Sequence, residues 1–274
     1  MNSKKQVKII DTNFAHAKYS TDFQESKYID WYRNNEPSDV TFMTDNSLYG
    51  VDNVKGTKIG WLMEPRAIFP RNYEWMKDNH HRFDTVLTYD KSLLSISDNI
   101  KFSPHCGCWI KAEDQQVYQK SKLLSIVASA KRQTTGHKLR HEAIKLSKDN
   151  GIPLDVYGRG YKPVEYKLTT LKDYAFSVVI ENSKSDYYFT EKLMDSFVTG
   201  TVPIYWGCPS IGDFFNTDGM IIIDDANTLL SKLESLSLEG YKSMLPAIED
   251  NFNRAKEFLI AEDWIYKNIK IVGL

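Results

Sequence analysis

The sequence predicts an α/β protein of two Rossmann-like domains, each a parallel sheet flanked by helices, facing each other across a cleft. Three observations carry that expectation. Short apolar runs alternate with helical patterns along the whole chain, as they do where strands and helices take turns. The run over residues 176–180 is nearly continuous in apolar residues, as in a strand buried on both faces of a parallel sheet. The chain has 274 residues, more than the ~150 of a typical single domain.

In the first half, 7–10 reads as a strand, 22–34 as a helix and 39–43 as a second strand. The run 58–63 is a third strand, which must stop before Pro65 because proline cannot donate to a ladder. Pro70 opens a helix over 70–79 from its first turn. Strands follow at 83–89 and 101–104. In the second half, 122–128 is a strand. A helix over 134–150 follows, with Thr134 or Thr135 as its N-cap and Gly151 past its end. Leu139, Ala143 and Leu146 form its apolar face. After a strand at 153–157 and the buried run at 176–180, a helix over 188–199 closes at Gly200. Strands at 202–205 and 220–223 and helices at 226–236 and 241–259 complete the reading. The boundary falls near residue 112, giving units of 1–112 and 113–274. Ligands of such sheets bind beyond the C-terminal ends of the strands.

Composition excludes several classes. Lys and Arg number 35 against 36 Asp and Glu, so the net charge is −1. A nucleic-acid binder would show a basic excess, and an anionic ligand must meet a local cluster of cations. No apolar run reaches the ~18–20 residues of a membrane span. The apolar stretch at the N-terminus is broken at Lys8 and ends at Asp11, too short for a secretory leader. Three cysteines argue against a disulfide framework. A cytoplasmic chain without a membrane anchor is expected. Tyr157-Gly158-Arg159-Gly160-Tyr161 lacks the third glycine of a dinucleotide fingerprint and reads as a turn. His137 and His141, four apart on one helix, lack a third ligand and read as a solvated face. No metal site is expected.

Residues 174–209 carry the most chemistry. A buried strand delivers Glu181 and Asn182 to its C-terminal end, a polar loop follows, and a helix opens with Glu191 and Lys192 in its first turn. A helix N-terminus attracts phosphate through its free N–H groups, and a lysine there adds charge. A neighbouring carboxylate can accept from two vicinal hydroxyls. On composition alone the same pair could simply cap a surface helix.

This segment resembles glycosyltransferase family 10, the α-1,3/4-fucosyltransferases, over more than thirty residues in register. The matching residues are Glu181-Asn182-Ser183, Tyr188-Phe189-Thr190-Glu191-Lys192, and Val202-Pro203-Ile204-Tyr205-Trp206-Gly207-Cys208-Pro209. The resemblance implies a GT-B-type fold and an inverting transfer of fucose from GDP-fucose to a hydroxyl of a glycan acceptor. It implies an acceptor side in 1–112, a donor side in 113–274, and no cofactor beyond the donor substrate. Lys192 is similar to the family lysine on the donor diphosphate and Glu191 to the acid that holds the ribose. Asn182 and Tyr188 would line the same pocket. Ala128-Ser129-Ala130 followed by Arg140 is similar to the family's Ala-Ser-Asn…Arg stretch, which makes Arg140 a second cation on the diphosphate. Glu64, in Met63-Glu64-Pro65, is similar in position to the proposed catalytic base, with Glu181 as the alternative. The residues alone also allow Glu64 to pair with Arg66 or Arg71. The motif reports nucleotide and diphosphate more directly than the sugar. Another GDP-hexose donor, or a sugar-nucleotide binder without turnover, remains an alternative.

Overall fold

The computed structural model describes residues 3–274. Each of its two compact units is built on its own parallel sheet.

The first unit takes the chain up to Gly107, with Asp186–Tyr188 and Phe258–Leu274 added. Its strands are β1 (Lys5–Ile10), β2 (Ile29–Tyr32), β3 (Val40–Thr44), β4 (Thr57–Trp61), β5 (Thr85–Thr88) and β6 (Ile100–Phe102). They pair in the order β2-β1-β3-β4-β5-β6. The order reverses between β1 and β3, where Ile9 pairs with Phe42. The helices are α1 (Pro70–Asn79) and the single turn α2 (Lys91–Leu94). Met43, Leu62, Tyr73, Met76, Phe83 and Val86 form the core between sheet and α1. β4 ends at Trp61, two residues before the expected end at 63.

One element differs from expectation. The helix expected over 22–34 is absent, and the segment contains β2. Ile29 and Trp31 alternate inward with the two-residue period of a strand. Ile, Trp and Tyr also favour the pleated conformation.

The second unit runs over Cys108–Ser185 and Phe189–Glu257. Its strands are β7 (Lys122–Val127), β8 (Asp155–Tyr157), β9 (Tyr174–Ile180), β10 (Val202–Trp206) and β11 (Ile221–Ile222). The order is β11-β10-β9-β7-β8, again all parallel, with its reversal between β7 and β9. α3 (Thr135–Asp149) follows β7 and α4 (Glu191–Phe197) follows β9; α5 (Ala226–Glu234), α6 (Leu238–Ser243) and α7 (Leu245–Ala255) close the unit. Every residue of β9 and β10 is buried. Each fully buried Val or Ile there contributes about 1.5–3 kcal/mol of transfer free energy. Gly158 and Gly160 lie at φ +108° and +97°, so the Gly-Arg-Gly segment is a turn.

Two helices differ in extent from expectation. The helix expected over 241–259 is split at Met244, because Pro246 cannot donate to the preceding turn and instead sits in the first turn of a new helix. α4 starts at Glu191 rather than 188, since Thr190 is extended and serves as N-cap.

The end of the chain also departs from the expected 113–274 unit. Phe258–Leu274, with helix α8 (Ala261–Asn268), belongs to the first unit. Buried Glu262 accepts from Trp31 Nε1 at 2.7 Å and from Ser20, and Asp263 accepts from Ser26 Oγ at 2.6 Å. Among the described residues, the donors to these two buried carboxylates all belong to the first unit. No helix among the described residues is long and apolar enough to cross a membrane.

Candidate functional site

In the second unit the sheet reverses between β7 and β9, and ligands of open α/β sheets bind in the crevice beyond such a point. Arg140, Glu181, Asn182, Glu191 and Lys192, five of the residues singled out from the sequence, meet there. β9 delivers Glu181, whose N–H continues the ladder to the carbonyl of Trp206 at 2.9 Å. Its side chain fits a tight socket. A Cβ on Gly136 would lie 1.7 Å from the Glu181 carbonyl oxygen, and one on Gly207 would lie 2.6 Å from its Cγ. Both positions need glycine because chains approach closely there, which lets α3 begin directly against the end of β9.

Glu181 has no exposed surface. One carboxylate oxygen accepts from the Thr190 N–H at 2.8 Å and the other from the Thr190 hydroxyl at 2.7 Å. Lys192 Nζ lies 3.4 Å from the second oxygen. The burial of this charge is offset by a paired cation and two donors. With no exposed surface and both oxygens engaged, the Glu181 carboxylate is held against Thr190 and Lys192 and faces no outside hydroxyl in this structure.

Thr190 caps α4 by accepting from the Lys192 N–H. The Lys192 ammonium also bonds Thr190 Oγ1 at 2.9 Å and pairs with Glu191 at 3.2 Å. About a quarter of the lysine side chain is exposed, so the ammonium is both held and reachable. Arg140, on α3, is buried; it donates through Nε and Nη2 to the Ile180 carbonyl and through Nη2 to Asn182 Oδ1 at 3.1 Å. Asn182 thus contacts the guanidinium it was expected to accompany. A small cavity lined by Val127, Arg140, Lys167, Ile180, Lys192 and Ser196 gathers three cations.

His137 registers that charge. It is buried, contrary to the expected solvated face, and completes a capping box with Thr134. Its ring Nδ1 accepts from the Thr134 N–H. Burial, followed by the fields of Arg140, Lys131, Lys192 and His141, pushes its pKa down to about 4. Cations from α3, its preceding loop and α4 therefore converge here. His141 instead bonds Tyr161 and the Lys131 carbonyl.

Sequence reasoning missed a second buried pair. Asp195, one turn beyond Glu191 on α4, lies 2.5 Å from Lys167 Nζ and accepts from the Trp109 N–H at 2.6 Å. Burial pushes the Asp195 carboxyl up against the pull of Lys167. The only signal was the four-residue spacing from Glu191.

Tyr188 and Glu64 belong to the first unit, whereas Arg140, Asn182, Glu191 and Lys192 belong to the second. The Tyr188 ring packs 4.9 Å from that of Tyr89. Tyr187 beside it has φ +63°, a left-handed conformation uncommon outside glycine. Glu64 follows β4 and is half-buried. Arg66, one of the two arginines the residues alone allowed as its partner, instead engages Glu74 and Asp90. The Glu64 carboxylate has no hydrogen-bond or ion-pair partner among the described residues. Its backbone is held: its N–H donates to Asp45 at 3.0 Å, and its carbonyl accepts from the Tyr73 hydroxyl at 2.6 Å.

The chain is similar to known proteins. Residues 117–240 match the family described as glycosyltransferase family 10 (fucosyltransferase) C-term. The alpha-(1,3)-fucosyltransferase FucT of Helicobacter pylori is 38% identical over 66 residues, which is 24% of this chain and 14% of that protein. A putative fucosyltransferase-like protein of Arabidopsis thaliana is 26% identical over 180 residues, 64% of this chain and 34% of that one. The matches thus span about a third or less of those relatives. Among solved structures, an alpha1,3-fucosyltransferase crystallised with GDP-fucose is similar at a TM-score of 0.60 and 18% identity, covering 99% of this chain and 94% of that one. TarM is similar at a TM-score of 0.56 and 14% identity over 83% and 53% of the two chains. The fold class read from the sequence, α/β of the GT-B type, is that of these neighbours. Residues 117–240 of this chain are thus similar to the C-terminal part of glycosyltransferase family 10.

Proposed function

We propose that the protein transfers fucose, with inversion, from GDP-fucose to a hydroxyl of a glycan acceptor. The observation that carries this reading is the convergence of Arg140, Lys192 and Glu191 at the reversal point of the second unit's sheet. Lys192 and Arg140 bind the donor diphosphate, and Glu191 accepts from the ribose hydroxyls. Asn182 orients the Arg140 guanidinium. Glu181 holds Thr190 and Lys192 in place.

In the reaction, the acceptor hydroxyl gives its proton to the Glu64 carboxylate as its oxygen bonds to C1 of fucose. The bond from C1 to the diphosphate oxygen breaks, and GDP leaves with the electron pair. Charge grows on the diphosphate in the transition state, so fixed cations there stabilise that state more than the ground state. No cofactor beyond the donor is part of this reading. The low cysteine count supports a cytoplasmic location.

The reading is tested by GDP release from a panel of GDP-sugars, with glycan acceptors and with water. Turnover selective for GDP-fucose supports it, and E64Q is expected to bind GDP-fucose yet lose turnover. Selectivity for another GDP-hexose changes the donor, and wild-type turnover by E64Q removes Glu64 as base.

A further inference from the structure

We propose that Asp45 is the positioning residue of the candidate base Glu64; this rests on the reading of Glu64 given above. The first unit's sheet reverses between β1 and β3, so its crevice opens at the C-terminal ends of those strands. Asp11 is the first residue beyond β1 and Asp45 the first beyond β3. The two ends are tied together. Thr44 Oγ1 donates to Asp11 Oδ1 at 3.0 Å, and Asn13 Nδ2 donates to Asp45 Oδ2 at 2.5 Å. Asp45 then reaches the chain beyond β4. Its Oδ1 accepts the Met63 N–H and its Oδ2 the Glu64 N–H, each at 3.0 Å. Tyr73 holds the Glu64 carbonyl on the other side. Glu64, whose side chain is unengaged among the described residues, is thus fixed through its backbone by two groups without exposed surface.

The residue type fits this task. Three N–H donors converge on Asp45, and only a carboxylate presents two acceptor oxygens to them. Its φ is +36°, a conformation that side-chain-bearing residues seldom adopt and that persists where surrounding bonds over-determine it. The ionisable groups facing it are Glu64 beyond β4, Tyr73 on α1 and Tyr89 beyond β5. Burial raises the Asp45 pKa to about 7, opposed by the three donors and reinforced by the Glu64 charge.

The test is the full chain carrying D45N, with E64Q in parallel, assayed as GDP release from GDP-fucose with the best acceptor of the panel or with water. D45N keeps shape and tolerance of positive φ but removes one acceptor and the charge. We expect kcat to fall at least about 10-fold while KM for GDP-fucose stays within about twofold. A residue that only stabilised the fold would not lower kcat at an unchanged KM. A kcat within about twofold of wild type, or a loss confined to KM, overturns the proposal. If E64Q turns over normally, the base reading fails; if E64Q is inactive and D45N is unchanged, only the positioning role fails. Should D45N fail to fold, N13A removes one donor and leaves the carboxylate in place. It is expected to lower kcat at least about threefold at unchanged KM, and an unchanged kcat overturns the proposal.

Discussion

The ammonium of Lys192 lies 3.4 Å from the buried carboxylate of Glu181, and the hydroxyl of Thr190 touches both. The strand end, the helix cap and the lysine therefore form one connected network. Breaking it by E181Q leaves a buried donor facing an amide N–H, and should cost about 1–3 kcal/mol of stability. T190V should cost about 1–2 kcal/mol as a lost cap. In a denaturant-based double-mutant cycle the pair should couple by at least ~0.5 kcal/mol, and additive losses would show that the network does not act as a unit.

Gly136 sets how closely α3 approaches β9. In an open helix Gly→Ala stabilises by about 1 kcal/mol. Here the added Cβ would meet the Glu181 carbonyl oxygen at 1.7 Å. Overpacking should prevail, so G136A is expected to lose about 2–3 kcal/mol in urea unfolding. A stabilised variant would mean that the helix can move away freely.

The depressed pKa of His137 gives a signed pH dependence. Between about 4 and the ordinary histidine value of 6.5 the unfolded chain binds the proton and the folded chain does not. This group's contribution to stability therefore falls as pH drops through that window. The H137Q variant keeps an acceptor for the Thr134 N–H and removes the titration. Melting curves between pH 4 and 7 should show a shallower decline for H137Q than for wild type. Parallel declines would contradict the assignment.

Much of this was legible in the sequence because local patterns and local chemistry agreed. The Glu181-Asn182 strand end and the Thr190-Glu191-Lys192 helix start lie within twelve residues of one another, so one segment shows most of the site. Pro65 and Gly200 marked real boundaries for the same reason. What was missed depends on partners distant in sequence. β2 looked helical because its pairing with β1 is not a local property. Asp45 is an unremarkable residue until β4 brings the Glu64 N–H to it. α8 joins the first unit because Glu262 and Asp263 find donors more than 230 residues away. Glu181 reads as a candidate base by residue type, and its burial and its two donors from Thr190 are visible only in the fold.

The central claim is that Arg140 and Lys192 form a nucleoside-diphosphate site at the end of β9. Titration calorimetry of GDP against wild type, K192A and R140K tests it most directly. The account predicts binding to wild type, weakened at least about 10-fold by K192A through the lost charge-assisted contact and severalfold by R140K through the lost bidentate geometry. Equal GDP affinity in all three folded proteins would contradict it.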